Sequence, residues 1–517
     1  MSGSSAASPS AASPDGARMP ANVVVVLLDS LNRHLLGSYG GTEFDTPNLD
    51  RFAARAVRFT DHQTGSLPCM PARHDLLCGA LDFLWRPWGS IEVWEEPFTV
   101  PLRRAGVTTM LVTDHPHLFE HGGENYHCDF TAWDYQRGHE SDPWRTRPDP
   151  SWAGAPAFGR PWMPYDDSRG WFRDEADFPG PRTMTAAADW LERFAPHHDR
   201  FCLVVDEFDP HEPFDVPAPW AGRYDPDWDG APLIWPPYAV DGVARGVLTE
   251  REGRQIRANY GAKLSMIDHW FGRILDALDR TGRWDDTAVV VCTDHGHYLG
   301  EHDLWGKPGA PVRAPLGHTP LLVAWPGRAP GVCDALTTTV DLHATVLDVF
   351  GVTSAHRTHG RSLVGLLDGT ATSVRDHVLT GVWGREVHVV TPRFRYGRGP
   401  AGADNAPLSM WSNRWSSMPV HATFDVPFPR PDERATLGRM PGSTVPVLRQ
   451  PFRPGDLLPF WALTRFRGHV LYDRVEDPSE RDDRHGSALE SEAAEVLRTA
   501  LVALEAPEDQ LVRLGLS

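Results

Sequence analysis

Basic charge is what this chain has too little of. Its 50 lysines and arginines face 69 aspartates and glutamates, for a formal net charge of −19 over 517 residues. That balance excludes a general nucleic-acid binder and an anionic-membrane binder, both of which need basic surface. An anionic ligand would have to be drawn in by local positive charge. Long apolar runs are missing too. The longest aliphatic stretch, VVVVLL at 23–28, is far short of the ~20 residues that span a bilayer. Cysteine is sparse. Six in a chain of this length make no disulfide framework, and Cys202 and Cys292 lie in apolar runs, as buried thiols do. The opening MSGSSAASPSAASPDGARMP (1–20) lacks an apolar segment and does not read as a secretory leader. A disordered tail over 1–20 and a cytoplasmic location are the expectations.

What is present is a globular composition with 41% apolar residues. The length allows a large core and more than one domain. NVVVVLLD (22–29) is a short β-branched run ending in an acid, which reads as a buried, parallel-type strand. Further strands are predicted at 107–113, 201–209, 285–296 and 319–327, and helices at 46–59, roughly 250–280 and 339–351. Thr46 and Pro47 mark a helix start. Alternating strands and helices predict an α/β fold, with a large, mostly parallel sheet between helical layers. From about 376 the pattern turns to antiparallel strands, a Pro/Gly-rich loop at 429–456 and a closing amphipathic helix at 486–504. The division read is a tail (1–20), a catalytic α/β domain (21–375) and a smaller α+β subdomain (376–517).

Open α/β sheets gather ligands beyond the carboxyl ends of their strands. Asp29, Asp114, Asp209 and Asp294 all fall at or just after such ends. Four acids on one edge need cations or basic groups beside them. In SLPCMPARHDLLCG (66–79), Pro71 suits the first turn of a helix. Cys69 then sits at the electropositive end, with Arg73 one turn on. The plainer reading is a buried thiol, the reading given to Cys78. In TDHGHYLGEHDLWGK (293–307), Asp294 and His295 are metal-ligand types, and Gly296 permits a turn that lets both reach one ion. A loop whose histidines cap carbonyls fits equally well. Lys307 holds an anion or is solvated, and a lone lysine favours solvent. His211 in FDPHEPF (208–214) is a general acid or a structural turn residue. TDHPHLFEHGG (113–123) offers His115, His117 and His121 for a polar pocket. DPDWDG (225–230) mimics a calcium loop, but Pro236 stands where its closing glutamate belongs, so the match is chance.

Together these pieces resemble the type I sulfatase family of the alkaline phosphatase superfamily. The hallmark C-x-[PA]-[SA]-R is met by Cys69-Met70-Pro71-Ala72-Arg73, followed by Leu76, Leu77 and Gly79. The stretch from Val23 to Thr64 looks like the family's first strand and helix, 293–307 like its second metal motif and anion lysine, and LYDRVEDPSERDD (471–483) like its C-terminal signature. The resemblance spans 22–485 and implies an alkaline-phosphatase-like fold. It implies that a maturation enzyme oxidises Cys69 to Cα-formylglycine. One hydroxyl of the hydrated aldehyde attacks sulfur, the alcohol leaves, and the second hydroxyl expels sulfate by elimination, an exit a serine lacks. It implies Asp29, Asp294 and His295, joined by matured Cys69, as ligands of one divalent cation. Arg73 would hold the nucleophile, Lys307 a sulfate oxygen, and His211 the leaving oxygen as general acid.

Two departures from the family pattern stand out. Ser30 follows Asp29 where many relatives carry a second Asp, and His295 replaces a common Asn. A nitrogen ligand and fewer carboxylates suit manganese or zinc, while calcium is the family's first choice. The family's Gly-Lys-x-His loop has no lysine here. Without gaps, Asp114 and Pro116 take the Lys and His places; a one-residue shift gives His115 and His117, which can contact an anion. The expected activity is hydrolysis of a sulfate monoester of a small molecule or saccharide. Its rivals are a formylglycine-dependent phosphonate monoester or phosphodiester hydrolase and a non-catalytic oxyanion-binding relative. A homo-oligomer stays open, and among 20 tryptophans, Trp85, Trp88, Trp94 and Trp305 are candidates to line a ring pocket, with core packing the commoner use.

Overall fold

The apolar run at the start of the chain becomes the central strand, Asn22–Leu28, buried along its whole length. A computed structural model describes residues 16–159, 164–307, 312–415, 429–463 and 468–517. The first fifteen residues of the expected tail lie outside the described residues. Ala17 is already buried, and Arg18 donates its backbone N–H to Pro326.

Parallel to the central strand run Thr287–Cys292 on one side and Phe201–Glu207, Thr108–Thr113 and Ala132–Tyr135 on the other. The strand His318–Ala324 is reversed, pairing antiparallel with Thr287–Cys292 and with Val57–Gln63. Short strands Gly331–Cys333 and Thr337–Thr338 pair parallel with Val57–Gln63 to complete the nine-stranded sheet. Strand residues alternate between its faces. Val23, Val25 and Leu27 pack with Met70, Leu76 and Leu77 of the helix Cys69–Cys78 and with Leu342 and Val346 of the helix Thr339–Phe350. Val24, Val26 and Leu28 pack with Met184 of Pro179–Arg193 and with Leu264, Ile267 and Phe271 of Glu250–Thr281. The sheet is therefore covered by helices on both faces, which is why its central strand is aliphatic from Val23 to Leu28.

The helix expected over 46–59 stops early. It spans Pro47–Ala53, and Val57–Gln63 is a strand. Val57 and Phe59 alternate inward with half-buried Arg58 and Thr60, a period of two that outweighs helical spacing. The region read as loop at 429–456 holds two strands, Thr436–Gly438 and Val447–Phe452, which pair with each other; Val447–Phe452 also pairs with Leu408–Ser412. A separate antiparallel sheet runs Val378–Gly381, Val387–Val390, Phe394–Arg398 and Val470–Asp473, with the helix Leu489–Ala503 against it.

The two sheets are stitched beside the Cys69 helix. Ser66 bridges Gly381, Leu67 donates to the Gly381 carbonyl at 2.9 Å, and Thr380 donates to the Gly65 carbonyl at 2.7 Å. Buried Arg395 bonds Glu480 at 2.7 Å and Gln63 at 2.8 Å. Glu480 also accepts from the Ala314 N–H at 2.8 Å. That glutamate belongs to the stretch 471–483, so the C-terminal signature ties the second sheet to the strand leading into Cys69. Among the described residues, no helix is long and apolar enough to cross a membrane.

Candidate active site

Cys69 opens the helix Cys69–Cys78, all ten residues of which are buried. Gly79, at φ 72°, ends it, and its missing side chain makes room for the His343 ring. Asp75 reaches back to accept from the Ser66 N–H at 2.5 Å and hydroxyl at 2.7 Å, fixing the turn before Cys69. Burial pushes the Asp75 carboxyl up to about 8.

Four side chains converge at the carboxyl edge of the sheet. Ligand atoms of Asp29, Cys69, Asp294 and His295 all lie within 4.8 Å of one another. The Cys69 sulfur stands 3.3 Å from His295 Nε2 and 3.7 Å from Lys307 Nζ. His295 gives its Nδ1 to the Gly296 carbonyl at 2.8 Å, which turns Nε2 toward the cluster. Gly296 serves by close approach: a Cβ there would lie 1.9 Å from the Pro315 carbonyl oxygen. Asp29 Oδ2 is buried without a hydrogen bond among the described residues, although Arg73 Nη2 lies 2.9 Å away. Burial, then the Asp294 charge, push the Asp29 carboxyl well above the usual range. Two crowded carboxylates, a neutral imidazole nitrogen and a soft sulfur suit a divalent cation, and the orphaned Asp29 oxygen supplies an unused lone pair.

Ser30, which follows Asp29, orders the neighbouring aspartates by hydrogen bonding. Its backbone, at φ 61°, aims the N–H at Asp294 Oδ1 (3.0 Å) and the hydroxyl at Asp29 Oδ1 (2.7 Å). Arg73 is the counter-charge. It pairs with Asp29 and Asp294, each at 2.9 Å, and forks onto Asp206 at 2.7 and 2.9 Å. Asp206 was missed by sequence reasoning, which chose Asp209 as the acid of that strand. Its one signal was its place in the strand's last turn of alternation, VVDEFD.

The four strand-end acids divide into two groups. Asp114 accepts the Phe208 N–H at 2.8 Å, and Asp209 pairs with His139 at 2.7 Å and Lys263 at 2.8 Å. Those two form a cluster beside the Cys69 group rather than within it. On the same loop, His115 is buried with Nε2 3.7 Å from Asp29 Oδ2, and neither ring nitrogen has a hydrogen bond among the described residues. His117 stands behind it, ring centroids 5.2 Å apart. Both its nitrogens face carboxylates, Nδ1 on Glu120 and Nε2 3.4 Å from Glu140. Against a desolvation cost, Glu120 and Glu140 lift His117 to about 10. Exposed His121 pairs with Glu124 at 3.5 Å.

His211 stacks on Phe208 at 4.1 Å and gives Nδ1 to the Glu212 carbonyl at 2.6 Å, leaving Nε2 without a proton. Burial pushes it down to about 3, so the resting imidazole is neutral. The Glu212 carboxylate stands 3.9 Å from Lys307, 3.3 Å from His211 and 3.4 Å from His297. Cys78 is a buried thiol raised to about 11 by burial, as expected of a structural cysteine. A second buried group, His74, Cys78 and Glu95, has its His74 Nε2 bonded to both Glu95 oxygens at 3.0 Å, which makes it an ion pair of the core.

Comparison with known proteins places the chain as a whole. The Sulfatase family model matches residues 21–352, more than half of the chain. A choline-sulfatase of Rhizobium meliloti (strain 1021) is 28% identical over 384 residues, covering 67% of this chain and 72% of its own. An arylsulfatase of Clostridium perfringens is 22% identical over 417 residues, covering 70% and 81%. In fold, the chain is similar to a phosphonate monoester hydrolase from Silicibacter pomeroyi, with a TM-score of 0.63 and 19% identity over 95% of this chain and 96% of that one.

Proposed function

Since the chain belongs to the sulfatase family, and is thus a sulfuric ester hydrolase, we propose that it cleaves a sulfate monoester at Cys69, matured to Cα-formylglycine. The convergence of Cys69 with Asp29, Asp294, His295, Arg73 and Lys307 carries this reading. Asp29, Asp294, His295 and the oxygen of matured position 69 would hold one divalent cation, calcium by family habit, with manganese or zinc favoured by the imidazole. Such a cation supplies Lewis-acid neutralisation of charge on a sulfuryl oxygen. The hydrated aldehyde supplies a nucleophilic oxygen and an elimination route that frees sulfate.

The chain's own residues supply the rest. Arg73, fixed by Asp206, holds the side chain of position 69 from the helix side and balances both aspartates. Lys307 binds a sulfate oxygen from the opposite side. His115 presents to the same anion ring nitrogens that have no hydrogen-bond partner among the described residues. His117 keeps a full positive charge behind His115. His211 is neutral at rest; a bound anion raises its pKa, so that Nε2 takes up a proton and passes it to the leaving oxygen. Burial of every one of these groups excludes water and strengthens each interaction. The alcohol product and maturation by a formylglycine-generating enzyme belong to the same reading. So does a cytoplasmic setting, consistent with six free thiols.

A second reading is a phosphonate monoester or phosphodiester hydrolase. It draws on His115 standing where many relatives place lysine, since both substrate types are singly charged tetrahedral anions. Rates on matched aryl sulfate and aryl phosphonate esters separate the two. Mass spectrometry of the peptide containing Cys69 tests the chemistry. An unmodified thiol throughout an active preparation would falsify it. Cys69→Ala is expected to fold normally and release no sulfate.

A further inference from the structure

We infer that Tyr238 and Trp461 form the shelf on which the leaving group lies, and that this group is a flat, uncharged aromatic alcohol. The inference rests on the sulfatase reading and names its substrate class.

The Tyr238 hydroxyl donates to Glu212, whose carboxylate lies 3.9 Å from Lys307 and 3.3 Å from His211. The phenol end thus reaches the groups assigned to the sulfate oxygen and the leaving oxygen. The rest of the side chain faces outward, and the residue is 46% exposed. The ring lies over Gly306, next to Lys307: a Cβ on Gly306 would stand 2.4 Å from Tyr238 Cδ1, so the absent side chain is what seats the ring. Trp461 continues the surface, its ring centroid 6.2 Å from that of Tyr238 and tilted by 30°. It packs against the buried cluster that includes Val382 and Leu67, and Leu67 lies two residues before Cys69.

With Tyr238 46% exposed beside Trp461, the pair offers an open surface rather than an enclosing cage. A face suits stacking by a third ring, whereas a quaternary ammonium is held by aromatic walls on several sides. Glu212, the carboxylate that Tyr238 contacts, already faces Lys307 and His297. Exposed Leu457, Phe460 and Leu463 on the segment carrying Trp461 add apolar surface.

The test uses the matured holoenzyme, Tyr238→Phe, Tyr238→Ala and Trp461→Ala, with thermal midpoints to confirm folding. A naphthyl sulfate and choline sulfate are the substrates; naphthol and inorganic sulfate are the product inhibitors. Tyr238→Ala is expected to weaken naphthol inhibition on the order of tenfold and to raise KM for the aryl ester. Inhibition by sulfate should stay put, and Tyr238→Phe should keep most naphthol affinity. Unchanged naphthol inhibition in both folded alanine variants overturns the shelf. Selective loss of choline sulfate turnover in Tyr238→Ala, with naphthol unaffected, makes the site cationic and overturns the aromatic assignment. If the wild type releases no sulfate from any ester, the sulfatase reading falls, while calorimetric binding of naphthol to wild type and Tyr238→Ala still decides the shelf.

Discussion

Single residues in this site are legible in proportion to their closeness in sequence. Cys69 and Arg73 share one helical turn, so their meeting could be read from SLPCMPAR. Asp206 touches Arg73 from 133 positions away, and no local pattern announces it. Its forked pairing makes it a positioning residue for the arginine. Asp206→Asn is expected to lower kcat about 10²-fold through a misplaced Arg73, with a smaller change in KM, measured by steady-state kinetics on the folded variant. His117 has both ring nitrogens facing carboxylates, those of Glu120 and Glu140, so neither is free to meet an anion. A histidine raised to about 10 stabilises the fold fully below its ordinary 6.5 and loses that contribution as pH climbs through about 10. The gap in thermal midpoint between wild type and His117→Gln should therefore be widest below pH 6.5 and close toward pH 10. A gap that widens with alkalinity would contradict the charged assignment.

Elements were readable where one period ran unbroken. The central strand and the long helix Glu250–Thr281 appear almost at the predicted bounds, because an apolar run and a Thr249–Glu252 capping box are local signals. The stretch 46–59 failed because a short helix and a strand follow each other within it, and apolar residues at its junction satisfy both periods. The loop at 429–456 failed because prolines and glycines masked two short strands. The turn after Thr287–Cys292 shows what sequence conveys only in outline. A glycine was legible there; its reason, the Pro315 carbonyl pressed against position 296, was not. Gly296→Ala should cost about 1–3 kcal/mol by forced displacement of that contact, read as a lower denaturant midpoint, and should lower activity by shifting His295.

At the scale of the molecule, the class of fold followed from alternation, while the reversed strand His318–Ala324 and the stitching of the two sheets did not, since pairing partners are set by packing across the whole chain. Arg395 and Glu480 are the clearest stitch, both buried. Arg395→Met leaves the Glu480 carboxylate without its cation and is expected to cost about 3–5 kcal/mol. Adding Glu480→Gln should restore part of that loss, and equilibrium unfolding of the three proteins measures both. The same stitching sets a clock. Gly65 is sealed by Thr380, 315 positions downstream, and Cys69 ends up 3% exposed. At the usual ribosomal pace of ~5–20 residues per second, roughly 15–60 s pass before the closing strand exists. Under the proposed maturation of Cys69, the modifying enzyme would have that interval, during translation, in which to reach the Cys69–Arg73 peptide before folding buries it.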